Sequence, residues 1–252
     1  MKPHDRQRRI TALVGQSGHQ AVETLAVRFE VSTETIRRDL GVLVDAGAVQ
    51  KVHGGVRALR MHAEGSFAER MAEDAVAKAR IAQRLAQLIG PGETLFIDTG
   101  STTLACAEAL RAIAGLTVIT NSVRIAQAFG ADSDAQVLLL GGRFAAGNAQ
   151  TVGPATVAQI AEFCADRAIL TPAAIDLDAG IMDSDLDEAQ VARAMIRHAR
   201  STIIVAAAAK FGRRAAHRVC RFQEVDALVT DREVTGSLAA VMQANAVSVH
   251  TG

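Results

Sequence analysis

Near the N-terminus, apolar residues recur at helical spacing in three short runs. Ile10, Leu13 and Val14 predict a first helix ending near Gly15 to Gly18. Val22, Leu25, Ala26 and Phe29 predict a second helix, and Ile36, Leu40, Leu43 and Val44 a third. Glu30-Val31-Ser32 joins the last two, with Ser32 placed to cap the third helix by accepting from a backbone N–H of its first turn. Past Gly47, Ala48-Val49-Gln50-Lys51-Val52-His53 alternates roughly as a strand does, and Gly54-Gly55 turns the chain into Val56-Arg57-Ala58. Three helices and a glycine-turned hairpin describe a winged helix-turn-helix.

Downstream the pattern changes. Residues 58–73 are polar, lack strong periodicity and read as a linker. Val76, Ile81, Leu85, Leu88 and Ile89 predict a helix that ends at Gly90-Pro91-Gly92. Strands are then predicted at 94–98, 116–120, 136–140, 168–170, 202–206, 227–230 and 247–249. Helices fit between most of them, at 102–113, 123–129, 154–163, 186–199 and 237–244. Apolar strands alternating with helices imply an α/β domain with a mostly parallel sheet. The expected organisation is a winged helix-turn-helix over 1–58, a linker over 59–73 and an α/β domain over 74–252.

The chain has 252 residues, 49% of them hydrophobic, which is material for two packed domains. Aromatics are 3%, with no Trp or Tyr, so the cores are expected to be built of Val, Ile, Leu and Ala. A formal net charge of zero conceals a division. Residues 1–60 carry 10 Lys/Arg against 6 Asp/Glu (+4), and the remainder 17 against 21 (−4). The basic end is the one whose third helix projects Thr33, Thr35, Arg37 and Arg38 away from its apolar face. Short hydroxyls and guanidinium groups suit phosphate oxygens and the O6/N7 edge of guanine. The ordinary alternative is a solvated face, with both arginines paired to Glu34 and Asp39. The setting favours DNA: the helix begins at Ser32, and a hairpin carrying Lys51, His53, Gly54 and Gly55 follows it.

Cys106, Cys164 and Cys220 are odd in number and widely separated, as buried free thiols of a reducing compartment would be. No Cys/His spacing suggests a metal site, and no catalytic residue or cofactor is expected. Neither a leader pattern nor an apolar run of 18 residues occurs, so the expectation is a cytoplasmic protein without membrane attachment.

Three polar loops leave the carboxyl ends of proposed strands, where open α/β sheets bind ligands. Asp98-Thr99-Gly100-Ser101-Thr102-Thr103 opens a helix, offering hydroxyls and helix N-terminal N–H groups to an anion such as a phosphate ester. It lacks the lysine and spacing of a Walker A loop, and a simple helix cap is the ordinary alternative. Thr120-Asn121-Ser122 and Gly141-Gly142-Arg143 occupy corresponding positions, each also readable as turn chemistry. Lys210 follows a further strand and could supply a cation to the same anion, or lie simply at the surface.

Over nearly its whole length the chain resembles the DeoR family of transcriptional regulators. The resemblance is carried by Thr35-Ile36-Arg37-Arg38-Asp39-Leu40, His53-Gly54-Gly55, Phe96-Ile97-Asp98-Thr99-Gly100-Ser101-Thr102-Thr103, Val118-Ile119-Thr120-Asn121-Ser122, Leu140-Gly141-Gly142, Val152-Gly153-Pro154-Ala155, Asp187-Glu188-Ala189, Lys210-Phe211-Gly212 and Asp226-Ala227-Leu228-Val229-Thr230-Asp231. It implies a winged helix-turn-helix joined to a sensor domain similar in fold to ribose-5-phosphate isomerase. It further implies a repressor of sugar or polyol catabolism, released from operator DNA by a phosphorylated sugar or polyol. Phe211-Gly212-Arg213-Arg214-Ala215 resembles the glycerol-3-phosphate repressor branch. Because one helix reads only a few base pairs, a homo-oligomer, dimer or tetramer, is expected on paired half-sites.

The chain departs from the family pattern at two places. Ala206-Ala207-Ala208-Ala209 stands where the family has an Asp followed by small polar residues, and Thr171-Pro172-Ala173-Ala174-Ile175-Asp176 where it has glycines. Two competing functions remain. A sugar-phosphate isomerase would need paired acids, and Ala173-Ala174-Ile175-Asp176-Leu177-Asp178 lacks the Gly-Ala-Asp-Glu arrangement. A DNA-binding protein whose second domain serves assembly alone is the other, and the four alanines speak for it.

Overall fold

The computed structural model describes residues 3–17, 19–45, 49–52, 54–58, 65–130 and 133–252. The chain divides into two compact units, Met1–His62 and Ala63–Gly252.

The first unit runs α1 (Pro3–Ser17), β1 (His19–Ala21), α2 (Val22–Phe29), α3 (Thr33–Asp45), β2 (Val49–Val52) and β3 (Gly55–Ala58). The three helices and the hairpin stand where the apolar spacing placed them. Ile10, Val14, Val22, Leu25, Ile36, Leu40, Leu43, Val49 and Val56 form one core. The short strand β1 was not apparent from the sequence. It pairs antiparallel with β3, giving a sheet of order β1-β3-β2. Two glycines make this possible. Gly54 turns with φ +75°, and a Cβ on Gly55 would lie 2.2 Å from the Gln20 carbonyl oxygen.

The second unit opens with α4 (Phe67–Ala72), inside the stretch expected to be linker. A reciprocal capping box starts it: Ser66 Oγ accepts from the Glu69 N–H, and the Glu69 carboxylate accepts from the Ser66 N–H at 2.8 Å. Helix α5 (Ala75–Ala86) follows, burying Ile81 and Leu85 as the spacing requires. Val76, expected on that face, is instead exposed, while Lys78 is buried. The reason is local: the Lys78 ammonium donates to the carbonyls of Arg70 and Glu73 at the end of α4.

The remaining elements are β4 (Thr94–Ile97), α6 (Ser101–Leu110), β5 (Thr117–Thr120), α7 (Val123–Phe129), β6 (Gln136–Leu139), β7 (Arg143–Ala145), β8 (Gln150–Val152), α8 (Pro154–Ile160), β9 (Ala165–Leu170), β10 (Ala174–Asp176), β11 (Gly180–Asp183), α9 (Leu186–Arg197), β12 (Ala199–Val205), β13 (His217–Cys220), β14 (Ala227–Thr230), α10 (Gly236–Ala244) and β15 (Ser248–Thr251). All seven expected strands join one parallel sheet of order β15-β14-β12-β9-β4-β5-β6. Leu95, Ile97, Val118, Ile203 and Val229 face one core with residues of α5, α6 and α7. Phe96, Ile119, Leu170, Ile204 and Leu228 alternate to the other, with residues of α8, α9 and α10. Burial on both faces is why these strands are apolar runs in the sequence. The hairpin β7–β8 and the antiparallel sheet β10-β11-β13 lie outside that pattern.

The strand order contains one reversal. From β4 the chain adds β5 and β6 on one side, then returns to place β9 on the other. Such a reversal opens a crevice at the carboxyl ends of the two strands that flank it, here β4 and β9.

Candidate nucleic-acid interface and effector site

Ser32 caps α3, accepting from the Thr35 N–H at 3.1 Å, and its hydroxyl lies 2.9 Å from that of Thr35. The apolar face of α3 is buried through Ile36, Leu40 and Leu43, which leaves Arg37 and Arg38 exposed on the other. Thr33 and Thr35 are half-buried. Arg37 makes a 3.8 Å exposed ion pair with Glu34, worth little in water. Asp39 is engaged elsewhere. Its carboxylate accepts from Arg6 Nε at 2.5 Å and Gln7 Nε2 at 3.0 Å, tying α3 to α1 in the interior. The two arginines are therefore not held by Asp39. Lys51 is exposed on β2, opposite Val56 in the ladder. His53 lies outside the described residues. Gly54 and Gly55 shape the hairpin, which explains that glycine pair without any contact to a ligand.

In the second unit Asp98 ends β4, and both its oxygens accept from the Thr171 N–H at 3.2 Å, across the crevice from β4 to the loop after β9. Burial pushes the Asp98 carboxyl well above the usual carboxylate range; Asp183 and Glu188 push the same way, while the Thr171 N–H and Lys210 oppose them. Gly100 allows the two loops to meet, because a Cβ there would lie 2.0 Å from Thr171 Cγ2. Ser101, Thr102 and Thr103 form the buried first turn of α6, and Thr103 Oγ1 donates back to the Gly100 carbonyl at 3.1 Å. Lys210 reaches the same place from beyond β12, its ammonium donating to the Pro172 carbonyl.

The other predicted residues divide. The Thr120 hydroxyl donates to the Ile97 carbonyl at 2.6 Å and Ser122 caps α7, so both are occupied structurally. Asn121 is buried, its Nδ2 donating to Gln150 Oε1 at 3.1 Å. Gly141 and Gly142 face α8: the Gly141 carbonyl accepts from Thr156 Oγ1, and a Cβ on Gly142 would lie 2.1 Å from that oxygen. Gly142 is required both by that packing and by its own backbone, at φ +148°. Sequence reasoning passed over Thr171, Gln150 and Glu188, which the fold brings to this end of the sheet. Asp187-Glu188-Ala189 was visible as a motif, but nothing in one dimension attached it to β4.

Buried polar atoms without partners collect at the strand ends. Among the described residues, one buried side-chain atom without a hydrogen-bond partner, Arg84 Nε, lies on α5; the other four are Thr99 Oγ1, Asn121 Oδ1, Thr171 Oγ1 and Thr230 Oγ1. These four stand at or just beyond the carboxyl ends of β4, β5, β9 and β14. Buried polar atoms ordinarily find partners, and these four lack them at one end of the sheet.

A DeoR-like helix-turn-helix domain matches residues 6–61, and the DeoR C terminal sensor domain matches residues 73–232. The chain belongs to the DeoR family. Among its DeoR-family relatives, the glycerol-3-phosphate regulon repressor of Escherichia coli K12 is 34% identical over 96% of each chain. The repressor of the same name from Haemophilus influenzae is 35% identical over 91% of this chain and 90% of its own. The chain is thus a DNA-binding transcriptional regulator and not an enzyme. Ribose 5-phosphate isomerase A of Methanocaldococcus jannaschii resembles 55% of each chain with a TM-score of 0.41 and 12% identity, too distant to inform the chemistry. Among the described residues no helix is long and apolar enough to cross a membrane.

Proposed function

We propose that this DeoR-family regulator represses a carbohydrate or polyol catabolic operon and is released from its operator by a phosphorylated sugar or polyol. It would act in the cytoplasm as a homo-oligomer, since paired half-sites supply the affinity that one recognition helix lacks. Thr33, Thr35, Arg37 and Arg38 of α3 are assigned to the major groove, with Lys51 and the hairpin tip beside the backbone.

The observation that carries the sensing half is the set of orphaned polar atoms at the strand ends. The phosphate is assigned to the N-terminus of α6, where Ser101, Thr102 and Thr103 supply donors and Lys210 a cation. The hydroxyls of the ligand are assigned to Asp98, Asn121 and Thr171, whose oxygens accept from them. Release requires that the ligand bind the DNA-incompetent arrangement more tightly, and a differential of about 1–3 kcal/mol weakens operator affinity roughly 5- to 150-fold.

Thermal shift with a panel of phosphate esters tests the site. Glycerol 3-phosphate heads it because the E. coli relative's name contains that compound. A ligand at about 100 times its Kd stabilises by about 2.7 kcal/mol. Ser101→Ala should lose this response while Arg37→Ala keeps it and loses operator affinity. A panel in which no ester moves either the midpoint or the operator affinity would leave the second unit as an assembly domain, the reading Ala206-Ala207-Ala208-Ala209 favours.

A further inference from the structure

One set of hydrogen-bonded side chains runs from the strand-end site to α4. Asn121 Nδ2 donates to Gln150 Oε1 at 3.1 Å and to the Thr151 carbonyl at 3.0 Å, and Gln150 Nε2 donates to Glu188 Oε1 at 2.6 Å. Asn148 Nδ2 donates to that same carboxylate oxygen at 2.6 Å, and Arg70 Nη2 donates to Asn148 Oδ1 at 2.6 Å. Arg70 belongs to α4 and also donates from Nε to the Gly65 carbonyl at 3.2 Å. Gly65 is the first described residue after 59–64, the stretch of chain between α4 and the helix-turn-helix unit.

We propose that Asn121, Gln150, Glu188, Asn148 and Arg70 form a polar relay that makes the position of α4 depend on what Asn121 holds. This rests on the reading of the strand ends as a ligand site, since Asn121 is its terminus there.

The relay has a polarity. Gln150 and Asn148 each offer an N–H₂ to one neighbour and an oxygen to another, so turning either amide presents like groups to the next. At the site end Asn121 is 1% exposed and its Oδ1 has no partner, which leaves that atom for a ligand hydroxyl. A ligand that reorients Asn121 withdraws the donor from Gln150, itself 2% exposed, and from the Thr151 carbonyl. Gln150 then offers Glu188 less, and Glu188 holds Asn148, which in turn accepts from Arg70.

The far end is built to respond as a unit. Helix α4 has only six residues; Phe67 is buried, and the side chains that hold it include Lys78 on its C-terminal carbonyls, Arg124 stacked 4.5 Å from the Phe67 ring, and the Arg70–Asn148 bond. Loosening one anchor on so short a helix is felt along its whole length. Coupling of this kind is established by non-additivity and not by proximity.

Hydrogen exchange of the full chain, with no ligand present, measures the relay directly. The reporters are the backbone N–H groups of Arg70 and Glu73, which bond to Ser66 and Glu69 carbonyls. Asn121→Ala should speed their exchange about 2- to 12-fold, the factor by which losing one hydrogen bond shifts an opening equilibrium. The amides of α5 should not change. Asn148→Ala should speed the same reporters, and adding Asn121→Ala to it should have no further effect. Gln150→Ala enters one bond further along and should reproduce Asn121→Ala, which covers poor folding of the first variant. Unchanged Arg70 and Glu73 rates in both site-end variants, or additive effects with Asn148→Ala, would overturn the relay. Because no effector enters the measurement, failure of the ligand assignment leaves this result standing, and the reverse holds too.

Discussion

Replacing Gly100 by alanine tests whether β4 and β9 deliver their loops to one place. The backbone there is extended, φ 172°, so alanine meets no conformational strain. What it meets is Thr171 Cγ2, 2.0 Å from the new Cβ, with Thr103 Oγ1 at 3.0 Å. An ordinary contact is near 4 Å, so the β9 loop must retreat by well over an ångström. Overpacking of this kind costs about 1–3 kcal/mol, offset by about 0.4–1 kcal/mol because alanine restricts the unfolded chain. The net expectation is about 1–2 kcal/mol, or a fall of about 2–8 °C in the melting midpoint for a domain of ~150–250 residues. The same movement pulls the Thr171 N–H from Asp98, so ligand response should be lost with it. Thr171→Ser removes the offending methyl and keeps the hydroxyl. Urea unfolding of the parent, both single variants and the double variant gives the coupling, expected to favour the double variant by about 1 kcal/mol or more. Additive single effects would refute the argument, because they would mean that the two loops do not meet.

Three further outcomes follow from other residues. Asp39→Ala leaves Arg6 in the interior, with side-chain exposures of 8% and 5% in the pair, and should cost the first unit about 3–5 kcal/mol; operator binding should fail while the second unit's transition stays in place, and a loss under about 1 kcal/mol by urea unfolding would contradict this. Asp98 has a carboxyl raised by burial, so above the unfolded value of about 3.9 the folded state binds a proton the unfolded state lacks, and stability falls as pH rises toward the folded pKa. Asp98→Asn should flatten that slope and raise the urea midpoint at neutral pH; an unaltered slope would assign the pH dependence elsewhere. Cys164 is exposed, whereas burial raises the thiol pKa of Cys106 and lifts that of Cys220 to about 12. A disulfide reagent at pH 8 should therefore titrate one thiol per native chain and all three after denaturation, and a second fast thiol would be inconsistent with the packing.

Much of this fold was legible one residue at a time. Ile36, Leu40 and Leu43 marked the buried face of α3 because a helix sorts its side chains every 3.6 residues, whatever surrounds it. The seven central strands were apolar runs because both their faces are covered. The strands that escaped notice are three or four residues long, too short for alternation to register, and they include β7 and β8, which carry Gln150. Helix α4 escaped because a single turn and a half anchored by a capping box has no periodicity to show.

The chain alone determined that one basic unit presents hydroxyls and arginines on a helix, and that polar loops follow apolar strands. Both are local consequences of spacing and of residue type. Only tertiary structure decided that Asp39 turns inward to Arg6, leaving Arg37 and Arg38 to the surface, since a carboxylate chooses its partner by distance in space. Strand order likewise decided which loops share a site. Asp98 and Thr171 are 73 positions apart and hydrogen-bonded, because β9 returns to lie beside β4. Glycines 141 and 142 look like loop chemistry in the sequence and prove to be clearance for α8, because the need for a small residue is set by what approaches it.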